Sequence, residues 1–421
     1  MESYTLPKGS VYDFFMSKKR KICLFILIPV VLFICPNFFV YGTMEKNSIK
    51  ESAILSKSCA LMDGESGRVL YGKNEDEAMA NASTTKILTA ILVLEKCSPE
   101  DMVTISQNAQ NQPKVRLGVK EGEEYKVQDL LYAMLLESYN DCAVALAEHV
   151  SGSVEAFADL MNEKALELGC EDTEFVTPNG IDSGNHHTTA TDLCRIMRYC
   201  AWESPKSAEF QTVCQTKNYT FSNGEREMSV TNRNHFLWMK EGVIAGKTGY
   251  TAKAGYCYVV AYEKDGKKFC AALLACGWPN HKDYKWKDSE RLLSYGDSNY
   301  NMEAVDAEEI NDTYLTRVKI EDSHGEEYSL NDFKEEYEVG LEIDSTQSHQ
   351  YLVQGEEALS FEFVPKREFI TPIAKGQNAG EIVVRIDEDE LERIPVVFAE
   401  SVWKWDFMEL LQLLCEEFTK C

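Results

Sequence analysis

Several kinds of chemistry are missing from this 421-residue sequence. No C-x-x-C occurs among its 14 cysteines, so neither a zinc ribbon nor thioredoxin-type redox chemistry has a basis. The seven histidines form no H-E-x-x-H; His186-His187 stands outside any such pattern, which argues against a zinc peptidase and leaves no metal site to name. Positive charge is scarce. Against 69 Asp and Glu there are 43 Lys and Arg, a net charge of -26. Phosphate binding needs a basic surface, so no nucleic-acid partner is expected. The stretch 301–350 is the most acidic, with Arg317, Lys319 and Lys334 as its only basic residues. A long apolar run is also lacking. Ile22 to Cys35 is broken by Pro36-Asn37, short of the roughly 20 residues that a membrane-spanning helix takes.

What is present reads as an exported globular protein. Apolar residues make up 44% and charged residues 27%, an ordinary composition for two to four domains with a sizeable core. Lys18-Lys19-Arg20-Lys21 precedes the apolar run, and Val40-Tyr41-Gly42 ends in a small residue. Residues 1–42 therefore suit a secretory signal, with an uncleaved N-terminal anchor as the alternative. Either way the bulk lies outside the cytoplasm. Cys142, Cys194, Cys200, Cys270 and Cys276 sit in apolar runs and read as small buried hydrophobes.

Three segments follow. Residues 43–300 alternate strands and helices. Ala60-Leu61-Met62 and Arg68-Val69-Leu70-Tyr71 flank a turn and read as a hairpin, as do Tyr256 to Tyr262 and Lys268 to Ala275 around Lys264-Asp265-Gly266. Ile87 to Leu94 reads as a helix, and Leu130 to Val150 as one or two helices. Residues 305–396, with runs such as Tyr314-Leu315-Thr316-Arg317-Val318 and Glu381 to Ile386, read as a small antiparallel β domain. In 397–421, Trp403, Phe407, Leu410, Leu411, Leu414 and Phe418 share one helical face. That face suits either a membrane surface or packing on the β domain, and its acidic polar side weakens attraction to anionic lipid.

Chemistry concentrates in three motifs, in order. Ser83-Thr84-Thr85-Lys86 stands at the mouth of the helix beginning near Ile87. A spacing of three places Ser83 and Lys86 one turn apart on one face. A serine hydroxyl needs a base to become a nucleophile, and a lysine serves if burial beside another cation keeps its amine neutral. Ser138-Tyr139-Asn140 offers a hydroxyl to relay a proton and an amide to hold a substrate carbonyl. Lys247-Thr248-Gly249 precedes the second hairpin. An edge strand there would take an extended peptide, with Lys247 and Thr248 binding its terminal carboxylate and Gly249 permitting close approach. Singly each motif also fits a helix cap, a capping loop or a tight turn. Ordered S-x-x-K, S-x-N and K-T-G form a recognised constellation for serine acyl-enzyme chemistry on β-lactam-like substrates.

With these motifs and their flanks, Gly246-Lys247-Thr248-Gly249-Tyr250-Thr251 and Asn140-Asp141-Cys142-Ala143 among them, the chain resembles low-molecular-mass penicillin-binding proteins of the D-alanyl-D-alanine carboxypeptidase family. Pro178-Asn179-Gly180-Ile181-Asp182 and Thr189-Ala190-Thr191-Asp192-Leu193 resemble the family's segment between the second and third motifs. The resemblance implies an α/β fold of the β-lactamase/transpeptidase type, a five-stranded antiparallel sheet flanked by helices, plus a small C-terminal all-β domain. It implies Ser83 as nucleophile, Lys86 as general base and Ser138 as proton relay. Asn140, Lys247, Thr248 and Gly249 would bind substrate, and the backbone N–H groups of Ser83 and Tyr250 would stabilise the oxyanion. The implied partners are peptidoglycan stem peptides and β-lactams, with no cofactor and no obligate protein partner. Some relatives carry histidine where Asn179 stands. Lys285 is a candidate for holding the substrate carboxylate, a solvated lysine being the alternative.

Two other readings share the scaffold. A class A-like β-lactamase needs a Glu-x-x-Leu-Asn loop, whereas Glu174-Phe175-Val176-Thr177-Pro178-Asn179 has four residues between Glu and Asn and no Leu before the Asn. A non-enzymatic wall-binding protein would be expected to carry broken motifs, and all three are intact here.

Overall fold

Successive side chains of the central strands enter two different cores, and that alternation explains the layering. The computed structural model describes residues 49–321, 323–325, 336–345, 348–366 and 369–420. The expected export segment, 1–42, lies outside the described residues. β1 (Ser58–Asp63), β2 (Val69–Lys73), β3 (Val243–Thr251), β4 (Gly255–Lys264) and β5 (Lys267–Leu274) form one antiparallel sheet in the order β2-β1-β5-β4-β3. Ala60 and Met62 face one core and Cys59 and Leu61 the other; Cys270, Ala272 and Leu274 of β5 oppose Phe269, Ala271 and Leu273 in the same way. The three central strands are covered on both faces, which is why they read as continuous apolar runs rather than half-polar ones.

On one face lie α1 (Lys86–Lys96), α2 (Val127–Glu137), α3 (Asn140–Ser151) and α4 (Ala190–Arg198); on the other lies α5 (Tyr284–Asn299), through Leu292 and Leu293. Residues 86–94 of α1 are all buried. A helix covered all round belongs at the centre of a lobe, and this carries Lys86 indoors. The 130–150 stretch is two helices, α2 and α3. Ser138 breaks it with φ +66°, and Asn140 opens the second.

The C-terminal region holds a four-stranded antiparallel sheet of β6 (Leu341–Ile343), β7 (Leu359–Pro365), β8 (Asn378–Ile386) and β9 (Asp389–Phe398), ordered β6-β9-β8-β7. Its core includes Ile382, Val384, Ile394, Val396 and Phe398. An ion pair of 2.9 Å between Arg68 and Glu357, with side chains 4% and 8% exposed, joins it to the first sheet's β1–β2 hairpin. Two expectations change here. Tyr314 ends a helix, Ala307–Tyr314, and pairing in that run begins only at Val318. Trp403 is not helical; it pairs with His324 in a two-residue strand, and the terminal helix α6 runs Phe407–Lys420. A β-bridge satisfies the Trp403 backbone, so helical spacing alone misplaced it.

Candidate active site

Ser83 lies in a 3-10 turn, Ala82–Thr85, that runs straight into α1. Ala82 before it has φ +49°, a conformation non-glycine residues avoid, so the turn must be held by its neighbours. The neighbours are glycines. A Cβ on Gly180 would come 1.9 Å from Ala82 O, and one on Gly249 would come 2.9 Å from Asn81 O and Ser83 N. Gly249 thus lies close against the nucleophile's own turn, docking β3 against the start of α1.

The three motifs meet at one cleft of about 1180 Å³, lined by Ser83, Ser138, Asn140, Thr248, Gly249 and Tyr250 among others. Lys86 and Lys247 stand behind its wall, 0% and 3% exposed. Lys86 Nζ lies 2.8 Å from Ser83 Oγ, 2.8 Å from Asn140 Oδ1 and 2.8 Å from Asn179 O. Lys247 Nζ donates to Ser138 Oγ and to Thr248 O, both at 2.9 Å. The eight residues singled out in the sequence are thus brought together, β3 supplying Lys247 to Tyr250 from the sheet edge, the turn before α1 supplying Ser83, α1 Lys86, the break after α2 Ser138 and α3 Asn140.

Burial decides the electrostatics. It holds the Lys86 amine well below the usual lysine range, and the neighbouring Lys247 charge pushes the same way. Lys247 is itself pulled down to about 7 by burial. The partners of Lys86 also accommodate the neutral amine. Asn140 Oδ1 and Asn179 O can only accept, and a neutral amine has two hydrogens for them. Its lone pair then faces the Ser83 hydroxyl. The Asn140 amide orientation is set by Nδ2 donating to Pro113 O at 3.2 Å.

Lys285 is not a solvated lysine. It is 7% exposed, lines the cleft, and places Nζ 4.8 Å from the Tyr256 ring centroid and 4.4 Å from that of Trp286. Asn179 takes part through its main chain, while its side chain donates to Gln112 Oε1 at 3.0 Å. His186 carried no catalytic signal in the sequence, yet it is buried and touches Thr85 of the nucleophile turn; only its nearness to the Thr189-Ala190-Thr191-Asp192 segment pointed there. Among the described residues one group could offer three ligand atoms to a cation: Cys97, Asp101 and His149, within 4.8 Å of one another. Cys97 caps the far end of α1, roughly 16 Å of helix from Lys86, and none of the three lines the cleft.

The family model of D-alanyl-D-alanine carboxypeptidases matches residues 45–276. The chain belongs to this family. It is 28% identical over 410 residues to D-alanyl-D-alanine carboxypeptidase DacF of Bacillus subtilis, covering 96% of this chain and 99% of that protein. Among solved structures, penicillin binding protein 5 from Haemophilus influenzae matches with a TM-score of 0.65 at 25% identity, over 85% of this chain and 100% of the other. Penicillin-Binding Protein D2 from Listeria monocytogenes, solved in its cefotaxime-bound form, matches with a TM-score of 0.52 at 28% identity, over 58% of this chain and 98% of the other. The penicillin-binding-protein fold and a serine-hydrolase activity follow for this family member.

Proposed function

We propose that this chain is a serine D-alanyl-D-alanine carboxypeptidase that removes the terminal D-alanine from peptidoglycan stem peptides at the extracytoplasmic face of the membrane or in the wall. The observation that carries the reading is the 2.8 Å contact between Ser83 Oγ and the buried amine of Lys86. Lys86 takes the Ser83 proton as Oγ attacks the carbonyl between the last two D-alanines. The N–H groups of Ser83 and Tyr250 receive the oxyanion. Asn140 positions the substrate amide. Ser138, held by Lys247, passes a proton to the departing amine. Lys247 and Thr248 bind the substrate's terminal carboxylate, with Lys285 adding positive charge in the same cleft. Water, activated through Lys86 and Ser138, then frees the acyl chain. Penicillin enters the same path and stalls as the acyl-enzyme.

Against the β-lactamase reading stands Glu174. It is exposed, accepts from Asn185 Nδ2 at 2.7 Å, and is not among the cleft-lining residues. A carboxylate so placed cannot activate the deacylating water. Mass spectrometry of penicillin-treated protein tests the assignment. One adduct is expected on Ser83 and none in Ser83→Ala; an adduct on another residue defeats it. Sustained fast nitrocefin turnover would favour the lactamase instead.

A further inference from the structure

His186 is buried, with 3% exposure, while His187 beside it is partly open to solvent. The Val176 N–H donates to His186 Nδ1 at 3.0 Å. On the other side of the ring, Nε2 lies 2.9 Å from Thr85 Oγ1. The ring proton sits on Nε2. Nδ1 is already an acceptor, so in a neutral ring Nε2 carries the hydrogen. Independently, the one hydroxyl hydrogen of Thr85 goes to Ala82 O at 2.8 Å, and Asn81 Nδ2 donates to the same hydroxyl at 3.0 Å. Thr85 Oγ1 therefore has only a lone pair left for the imidazole, and Nε2–H must donate. Burial keeps the ring neutral, drawing its pKa down to about 4.

The chain of hydrogen bonds thus ends on the carbonyl of Ala82, the residue held at φ +49°. Gly180 presses on the same atoms, since a Cβ there would meet Ala82 O at 1.9 Å and Thr85 Oγ1 at 2.8 Å. A trans peptide is planar, and its C=O and N–H point in opposite directions. Whatever fixes Ala82 O therefore also aims the N–H of Ser83.

We propose that His186 is a positioning residue: acting through Thr85, it holds the Ala82–Ser83 peptide plane so that the Ser83 N–H meets the developing oxyanion. The histidine does not line the cleft and makes no contact with the reacting atoms. This inference rests on Ser83 being the acyl acceptor. It differs from a packing role in what it predicts, because a misaimed oxyanion donor slows the chemical step without loosening substrate.

The test compares the full chain with T85V, H186A, their double variant and H186Q. It measures acylation by a fluorescent penicillin, kcat and KM on a D-alanyl-D-alanine peptide, and thermal melting. T85V and H186A should each slow acylation and kcat by about tenfold with KM nearly constant, and the double variant should lose no more than the worse single, as residues acting in series do. The glutamine of H186Q retains a donor toward Thr85 and should recover part of the rate. T85V deletes one hydroxyl at nearly constant volume, so it decides the matter even if H186A folds poorly. Multiplying losses, a raised KM at unchanged kcat, or wild-type acylation in T85V would each overturn the inference alone. A wild-type chain that takes no label at Ser83 would overturn the proposed function and this inference with it.

Discussion

Asn179 offers Lys86 its main-chain oxygen, 2.8 Å from Nζ, while its side chain is turned to Gln112 and to the N–H of Ile181. The contact that helps orient the base does not depend on which side chain stands at 179. Asn179→Ala should therefore lower acylation by less than about tenfold. Lys86→Met, which removes the base itself, should lower it by about 10²–10⁴. Lys86→Arg should not rescue it, because a guanidinium stays charged. The measurement is the rate of penicillin labelling at Ser83. Equal losses in N179A and K86M would refute this division of roles.

The two buried lysines set a pH dependence whose sign is fixed. Lys86 works as a base only when unprotonated, so acylation must fall as pH drops through its lowered pKa. The Lys247 charge is one cause of that lowering. Lys247→Gln removes it, so the acid limb should move to higher pH while binding of a carboxylate-bearing substrate weakens. Lys247 at about 7 also makes folding more favourable as pH rises from there toward roughly 10.4, since over that window the unfolded chain binds the extra proton. Rate–pH profiles of wild type and K247Q decide it; an acid limb that stays in place or moves down contradicts the coupling.

The cleft was legible because its chemistry is carried by short motifs. Ser83 and Lys86 are placed by helical spacing, and Lys247 to Tyr250 by the strand before a recognisable hairpin. The central strands were legible as continuous apolar runs. What the sequence hid depends on contacts between distant segments. Nothing local tells His186 from His187; only the fold buries one against Thr85, 101 residues away. For Lys285 the sequence leaves a cleft role and a solvated one both open; the choice needs Tyr256 and Trp286 packed against its amine. Trp403 fits the helical stripe of the tail, yet its backbone finds a partner in His324.

Glycine at 180 is required by space as well as by backbone. Its φ is +77°, and an added Cβ would sit 1.9 Å from Ala82 O, far inside contact distance with main chain that is itself strained. Gly180→Ala should destabilise the protein by more than the ~1 kcal/mol that a conformationally incompatible alanine costs, and it should displace the nucleophile turn. Gly249 has no positive φ, and its nearest contacts would be 2.9 Å. Gly249→Ala should be milder in melting temperature, though still slow to acylate. Thermal melts and labelling rates of the two variants check the order; a G180A protein that melts and labels like wild type would refute it.

The terminal helix α6 turns large apolar side chains outward. Phe407 is 76% exposed, Leu414 46% and Phe418 83%, and among the described residues no helix is long and apolar enough to cross a membrane. We propose that α6 lies on the membrane surface. Its sequence from 406 carries Asp406, Glu409, Glu416 and Glu417 against Lys420, so the attraction must come from apolar burial rather than from anionic headgroups. The chain should then bind vesicles of phosphatidylcholine, and adding an anionic lipid should not strengthen binding. Each buried aromatic or leucine side chain is worth about 1.5–3 kcal/mol, so Leu414→Ser with Phe418→Ser should weaken co-sedimentation by at least about tenfold. Acylation of Ser83, whose cleft α6 does not line, should be unchanged. Vesicle binding that survives the double substitution, or that appears only with anionic lipid, would place the membrane contact elsewhere on the protein.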